Sequence, residues 1–455
     1  MAQGGATELS RAHWHRRVWK IALPIMLSNL TLPIVGAVDT AMAGHLPGPE
    51  YLGGVGVAVL IFSLTFFTFN FLRLSTTGYT AQALGRGDPG ELKSVALRAA
   101  VLALAVALAL VVLQQPILWL SLTLVEASPE VSAQAALYFD IRIWSAPAVM
   151  GNFVIMGVLI GMQKASHALA IQIVIAATNV ALDLLFVLEF GWDVPGLAAA
   201  TVAADYLGLI VGIVVLLFVI PGGRTAWPLA AARQLAAYRP LLALNRDLLI
   251  RTSILSLAFA FFVSLSARIG DVTLAANEVL MMFLTFASFA LDGFANACEA
   301  IVGEAYGKRD RRALRQAVGV STIWAGLAAA LCCLVFALFG ELIINGMTAV
   351  AEVRETARVY LPYVVLMPLA GVWSFQLDGI FIGATRGRDL RNAMLISVVI
   401  FLPVIIGLWY ALGNHGLWLA LHVLFVARAL TLWVRYPRLV ADVESQAMCD
   451  PKPPI

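Results

Sequence analysis

Long apolar runs constrain the fold of this chain more than any motif does. Twelve of them lie between residues 17 and 434, six before a polar stretch at 221–241 and six after it. About 20 consecutive apolar residues form a helix that spans the hydrocarbon core of a bilayer. Only 13% of the residues are charged, about half the share found in a soluble domain. The sequence therefore predicts an all-α membrane protein with twelve transmembrane helices.

The basic residues predict how these helices are oriented. Cytoplasmic loops of membrane proteins carry an excess of Lys and Arg. With both termini in the cytoplasm, most of the 30 basic residues lie at or near that face, including a dense cluster at 308–315. The exceptions are Arg73, Arg142, Arg268, Arg354 and Arg358. Trp119, Trp192 and Tyr138 lie near helix ends, as expected of an interfacial aromatic belt. We expect a multi-pass protein of the inner (plasma) membrane with both termini cytoplasmic.

A repeat divides the chain into two similar halves. The motif GVLIG at 157–161 recurs 222 residues later as GIFIG at 379–383. The same offset maps GRGD at 85–88 onto GKRD at 307–310. Six is an even number of helices, so both halves enter the membrane in the same direction and form parallel repeats. We predict two six-helix bundles around a central cleft.

This segmentation gives five predicted regions. They are an N-terminal cytoplasmic tail (1–16), an N-lobe with helices 1–6 (17–220), a cytoplasmic linker (221–241), a C-lobe with helices 7–12 (242–434) and a C-terminal cytoplasmic tail (435–455).

An acidic residue inside the first apolar run is the first candidate site. Asp39 lies late in that run, and no Lys or Arg lies within a helical turn of it. An ionisable group in a membrane helix is costly and indicates a function by default. Because desolvation disfavours a charged carboxylate, this carboxyl could hold a proton when buried and release it when wet, as a proton-coupled carrier requires. The alternative is a position in the headgroup region at the outer end of the helix.

Two polar pairs lie in the fifth and sixth apolar runs. Asn179 and Asp183 are four residues apart, so they lie on one helix face. An amide can hydrogen-bond a carboxyl in either protonation state. The alternative is a polar pair that holds helices together. Thr201 and Asp205 have the same spacing, and Thr201 could instead be a packing residue bonded to its own backbone. We assign proton or cation coupling to Asp39, Asn179, Asp183 and Thr201.

Several further residues are weaker candidates. Pro24 removes a helix hydrogen bond and predicts a bend in the first helix. Arg73 lies inside the second apolar run, where a buried guanidinium needs an acid, carbonyl groups or water as its partner. Asp39 or Asp183 could provide that acid. The possible substrate cleft is assigned to Arg73, Asn152, Met156, Asp205, Phe261, Glu278, Asp292 and Asp378.

The sequence lacks the usual signs of an enzyme or a metal site. It contains no His-Glu-x-x-His and no Gly-x-Ser-x-Gly motif, which would indicate a metalloprotease or a serine hydrolase. Its four cysteines have no metal-ligand spacing. We expect no catalytic residues, no bound metal and no cofactor.

Three stretches resemble the multidrug and toxic compound extrusion (MATE) transporters, and within them the DinF-like branch. They are DTAMAGHL at 39–46, FLRLSTTG at 71–78 and DGIFIGATR at 378–386. The resemblance extends over nearly the whole chain. It implies two six-helix lobes around a central cleft, and export of organic, often cationic, compounds against proton or sodium entry.

The resemblance also implies roles for single residues. The family's acidic position in helix 1 matches Asp39, and its helix-bending proline matches Pro24. The Asn and Asp of helix 5 match Asn179 and Asp183, and the Thr of helix 6 matches Thr201.

The chain departs from the family pattern in two places. An Asn often seen before the helix 4 glycine is Met156 here. The acids that NorM-like members use in their second lobe do not transfer, because Asp39 corresponds to Phe261 at the 222-residue offset.

Residues and resemblance together predict a secondary active multidrug exporter that works by alternating access, with Asp39 as its protonation site. Protons are favoured over sodium as the coupling ion. Sodium coupling and a lipid-linked oligosaccharide flippase of the same superfamily are the alternatives. The mostly acidic and amide groups within the membrane favour export of cations or neutral compounds, and Arg73 keeps the flippase alternative open. The expected partners are small organic molecules and the lipid bilayer, with no nucleic acid, and a monomer is expected.

Overall fold

The computed structural model describes residues 11–449, and within this range its regular structure is helical, without a strand. Twelve helices of the described range are long and apolar enough to cross a membrane. They are α1 (Ala12–Gly44), α2 (Pro49–Arg86), α3 (Pro89–Val112), α4 (Pro129–Gly161), α5 (Ala165–Glu189), α6 (Asp193–Val219), α7 (Leu235–Ala267), α8 (Asp271–Gly307), α9 (Arg311–Met347), α10 (Ala351–Gly383), α11 (Gly387–Leu412) and α12 (Asn414–Ser445). The predicted all-α membrane class with twelve spans is confirmed.

Three of these helices are interrupted in the first half of the chain. Helix α2 breaks between Thr68 and Phe71, where the Arg73 Nε donates to the Asn70 side-chain oxygen at 3.0 Å. Helix α4 passes through a 3₁₀ turn at Ile143–Ser145. Helix α5 ends in a π-helical segment at Leu184–Glu189, and π-turns often occur at functional sites.

Additional helices lie between and after the spans. A 12-residue helix, Gln114–Val125, connects α3 to α4. The predicted linker 221–241 contains the short helix Leu229–Arg233. The helix Tyr436–Cys449 of the predicted C-terminal tail takes up the end of α12 and extends beyond it. An ion pair between Arg386 and Asp442 ties it to the loop before α11. The predicted tail segments 1–10 and 450–455 lie outside the described residues.

The repeated GRGD and GKRD motifs perform the same structural task in both halves. Asp88 accepts a hydrogen bond from the Glu91 backbone N–H at 2.9 Å and caps the start of α3. Asp310 accepts one from the Ala313 N–H at 2.9 Å and caps α9. A side chain that caps orphan N–H groups fixes the helix start. The repeat therefore fixes where the third helix of each half begins.

The repeated glycine pairs also have the same role in both halves, which is to allow close helix packing. A Cβ at Gly157 would lie 2.7 Å from the Arg73 carbonyl oxygen of α2, and the second glycine of this pair packs against the same helix one turn later. In the second half, Gly379 and Gly383 approach backbone carbonyls of α8 in the same way. Glycines four residues apart let two membrane helices approach closely. The fourth helix of each half is thus packed directly on the second.

Contacts divide the chain into two compact units, and each is described by itself. The N-unit comprises Leu27–Leu242, and the C-unit comprises residues up to Met26 together with Ala243 onward. The predicted lobes began at residues 17 and 242, so the first division lies inside α1, two residues after Pro24, rather than before it. Helix α1 continues without a break through Pro24, and the bend at this proline stays a prediction.

The first turns of α1 pack on the C-unit through aromatic and charged groups. Trp19 makes edge contacts with Phe294 and Trp324. The Trp324 indole donates to the His15 Nδ1 at 2.9 Å. Arg17 pairs with Glu304 of α8. Different neighbours therefore hold the two ends of this helix.

Candidate functional site

Four side chains from three helices meet inside the N-unit. Asp39 comes from α1, Asn179 and Asp183 from successive turns of α5, and Thr201 from α6. Asp183 and Asn179 are 0% and 1% exposed, and Asp39 and Thr201 are each 6% exposed. The structure brings together the four residues to which the sequence analysis assigned coupling. Asp39 is enclosed by protein, and its depth in the membrane stays a prediction.

The Asn179 amide links the two carboxyl groups to the threonine. With its nitrogen turned toward the acids, it donates to Asp39 Oδ1 at 3.3 Å and to Asp183 Oδ2 at 3.2 Å, and its oxygen accepts from the Thr201 hydroxyl at 3.2 Å. In the reverse orientation the amide nitrogen donates to the Thr201 oxygen at 3.2 Å, and Thr201 donates to the Leu197 carbonyl at 3.0 Å. The amide can therefore serve as donor or as acceptor toward the acids.

The two carboxyl groups lie within hydrogen-bonding reach of each other. An ionised carboxylate only accepts hydrogen bonds, so a bond between two carboxyl groups requires a proton on one of them. Two carboxyl groups this close to each other cannot both be ionised without a large cost in free energy. The arrangement can share one proton and can accept a second.

A tyrosine and an arginine complete this environment. Tyr138 is 0% exposed, and its hydroxyl accepts from Arg142 Nη1 at 3.1 Å and also interacts with Thr201. The expectation that Tyr138 belongs to an interfacial belt is wrong. Tyr138 and Arg142 are four residues apart on α4, a spacing that could have indicated a common face, but a single sequence does not reveal that this face meets α6.

A second polar group lies beside the first on α4 and α6. The Asn152 amide donates to the Asp205 backbone carbonyl at 3.1 Å. The Ser145 hydroxyl and the Asp205 carboxyl interact with each other, and the Asn152 Oδ1 is buried without a hydrogen-bond partner in the described range. A buried polar atom without a partner calls for a bound water or a functional explanation. Met156 is buried on the same helix.

The second-half candidates lie in different surroundings. Asp378 of α10 binds two guanidinium groups, those of Arg251 on α7 and of Arg428 on α12, the latter at 2.7 Å. Arg428 is 4% exposed. Neither arginine stands out in the sequence, because both fall among the many basic residues assigned to the predicted cytoplasmic face.

Of the three other candidates, Asp292 interacts electrostatically with Arg428 of this cluster. Phe261 packs against the apolar core of the C-unit. Glu278 is exposed, and Asp292 is half-buried, with its backbone carbonyl accepting from the Asn296 amide at 2.8 Å. Within residues 11–449, no group of three or more His, Cys, Asp and Glu side chains could hold a metal ion.

Comparison with known proteins defines the class. A sequence model of the MatE family matches residues 24–185 and 248–406, once in each half. The DNA damage-inducible protein F of Escherichia coli (strain K12) is 39% identical over 426 residues, which cover 93% of either chain. These matches and the repeated helical fold define a multi-pass membrane transporter. The chain belongs to the MatE family, and its resemblance to the DinF-like branch is confirmed.

More distant proteins agree with this assignment. The probable multidrug resistance protein NorM of Rhizobium meliloti (strain 1021) is 26% identical over 455 residues, with 93% of each chain covered. The crystal structure of a MATE protein in its bent conformation superposes with a TM-score of 0.86 at 18% identity, covering 96% of this chain and 98% of that one. At this identity the second likeness shows the fold alone.

Proposed function

We propose that this protein is a proton-coupled multidrug exporter of the inner membrane, with both termini cytoplasmic. It exchanges lipophilic, often cationic, organic compounds against protons by alternating access. Family membership supports a transporter, and the name of the NorM relative supports multidrug export. The observation that carries the proton assignment is the buried Asp39–Asp183 carboxyl pair linked by Asn179.

The carboxyl pair alternates between one proton and two. With one proton, the Asn179 nitrogen donates to the acids while its oxygen accepts from Thr201. With two, the acids donate to the amide oxygen and the nitrogen turns to Thr201. Because an amide presents opposite groups on its two sides, each proton count has its own set of satisfied hydrogen bonds. Proton uptake is thereby converted into a local rearrangement of three helices.

Substrate release follows from this rearrangement. A proton entering from outside neutralises the pair, and the attraction for a bound organic cation disappears. Helix α1, which carries Asp39, rearranges near Pro24. An exchange of one monocation for one proton moves no net charge, so the pH gradient drives it and the membrane potential does not. Each pH unit supplies about 1.4 kcal/mol, which supports export against a concentration gradient of about tenfold.

Replacing the helix 1 acid tests the proposal. We expect Asp39→Asn to reduce pH-gradient-driven export of a lipophilic monocation from proteoliposomes by at least about 100-fold, because a neutral amide cannot take up the proton. Phe261→Leu, at the corresponding position of the second half, serves as the matched control and should retain most of the activity. Full pH-driven export by Asp39→Asn would refute the proposal.

The same vesicles separate the alternatives. Carboxylate, amide and hydroxyl oxygens also bind sodium, so a sodium gradient applied without a pH gradient should give little export if protons are the coupling ion. An oligosaccharide flippase would need a free cationic site for its anionic lipid. Arg251 and Arg428 do not favour it, because both guanidinium groups bind Asp378.

A further inference from the structure

Arg142 is placed at a break in α4, one residue before the 3₁₀ turn at Ile143–Ser145. Its guanidinium donates to the Tyr138 hydroxyl and lies over the rings of Phe62 and Tyr138, 5.3 and 5.9 Å from their centroids. Its Nε is buried without a hydrogen-bond partner among the described residues. A buried guanidinium needs negative charge nearby to offset its desolvation.

Three carboxyl groups, each from a different helix, lie within electrostatic range of Arg142, and none of the described ion pairs joins Arg142 to them directly. Arg142 interacts electrostatically with Asp39 of α1, Asp183 of α5 and Asp205 of α6. From α2 it meets the apolar ring of Phe62, and from its own helix the neutral Tyr138. Asp205 lies apart from the Asp39–Asp183 pair and does not share its proton in any bond described.

Arg142, Asp205 and the Asp39–Asp183 pair form a cluster whose charges sum to one net negative charge. The carboxyl pair with one shared proton carries one negative charge, and an ionised Asp205 carries a second. Arg142 compensates one of the two. The cluster is then completed by a single positive charge, which can come from a second proton or from an organic monocation. Without Arg142 it would need two.

We propose that Arg142 determines charge selectivity: it limits the transporter to one monovalent organic cation per proton exchanged. Arg142 is a specificity-determining residue that acts through the field of its guanidinium and need not contact the substrate. This inference rests on the proposed proton exchange at the carboxyl pair. It identifies the substrate class as lipophilic monocations, with dications discriminated against.

The test compares two substrates built on one aromatic scaffold, a mono-quaternary and a bis-quaternary ammonium compound. Their kcat/KM values are measured in proteoliposomes under a fixed pH gradient, and the ratio of the two is the readout. Arg142→Gln should shift the ratio toward the dication by about tenfold or more, because an added charge at this range acts strongly in a desolvated site. Arg142→Lys keeps the charge and should keep the ratio.

Asp205→Asn and the double variant sharpen the test. Asp205→Asn removes a negative charge, so it should shift the ratio toward the monocation by a similar factor. Arg142→Gln combined with Asp205→Asn restores the net charge and should restore the wild-type ratio. Arg354→Gln is the control, because Arg354 donates to the carbonyls of Thr348 and Asn345 in the C-unit, outside this cluster.

The outcomes separate this inference from the proposed function. If the wild type shows no pH-driven export, the proton exchange itself is wrong. If the wild type and Arg142→Gln both export under a pH gradient with the same ratio, the charge role of Arg142 is wrong. Should Arg142→Gln fail to fold, an unchanged ratio in Asp205→Asn overturns the inference, and the expected opposite shift supports it.

Discussion

The two halves of this transporter share a scaffold and differ in what lies at its centre. In the N-unit, Arg142, Asn179 and Asp183 take part in a buried polar cluster. At the 222-residue offset, the C-unit has Val364, Phe401 and Ile405 at these positions, each 0% exposed and all members of one apolar core. The helix caps and glycine pairs, by contrast, are kept in both halves.

This difference separates the features that the fold requires from the features that function requires. Both halves need helix caps where their helices begin and glycine contacts where their helices cross closely. A buried carboxyl pair is costly and has no such structural requirement. Under the proposed function, the exchange site therefore belongs to the N-unit. The C-unit has a conventional apolar core and a charged cluster of its own.

The largest expected effect concerns that C-unit cluster. Asp378→Asn leaves the guanidinium groups of Arg251 and Arg428 without their shared carboxylate. Breaking a buried ion pair from one side costs about 3–5 kcal/mol, so the apparent melting temperature in mild detergent should fall markedly. Protons exchanged per substrate by the remaining folded protein should not change. A changed number of protons per substrate would show that the C-unit also takes part in coupling. The functional difference between the two halves would then be wrong.

A smaller effect tests whether the scaffold is equivalent in both halves. Gly161→Ala and Gly383→Ala should each lower stability by about 1–3 kcal/mol, because the added Cβ meets a backbone carbonyl of the facing helix. Gly326→Ala in α9 has open space around it and should leave stability unchanged or raise it. Thermal unfolding of the three variants checks this. A large loss in only one half would mean that the glycine pairs are not equivalent.

The smallest effect concerns the left-handed residue of the repeated turn. This position is Gly87 in the first half, with φ 67°, and Arg309 in the second, with φ 58°. A side chain costs about 1 kcal/mol in this conformation. Arg309→Gly should therefore raise stability slightly, while Arg312→Gly inside helix α9 should lower it by about 0.5–1 kcal/mol. Equal losses in both variants would contradict the strain argument.

Much of the fold could be predicted from the sequence, because membrane helices are recognised by their length and apolar composition. Asn179 and Asp183 could be paired because their spacing places them on one face of one helix. Contacts between helices distant in sequence could not be predicted. The sequence does not indicate that Arg142 lies within electrostatic range of carboxyl groups from three other helices. For the same reason the sequence does not indicate that Arg251 and Arg428 are the partners of Asp378.

Proton release on substrate binding tests the central claim most directly. Purified protein in weakly buffered detergent solution, at a pH where the apo protein is proton-loaded, is mixed with a saturating lipophilic monocation while a pH indicator records released protons. The wild type should release about one proton per bound cation, because the carboxyl pair holds a displaceable proton. The Asp39→Asn, Asp183→Asn double variant should release almost none. Equal release by the double variant, or binding without release by the wild type, would contradict the account.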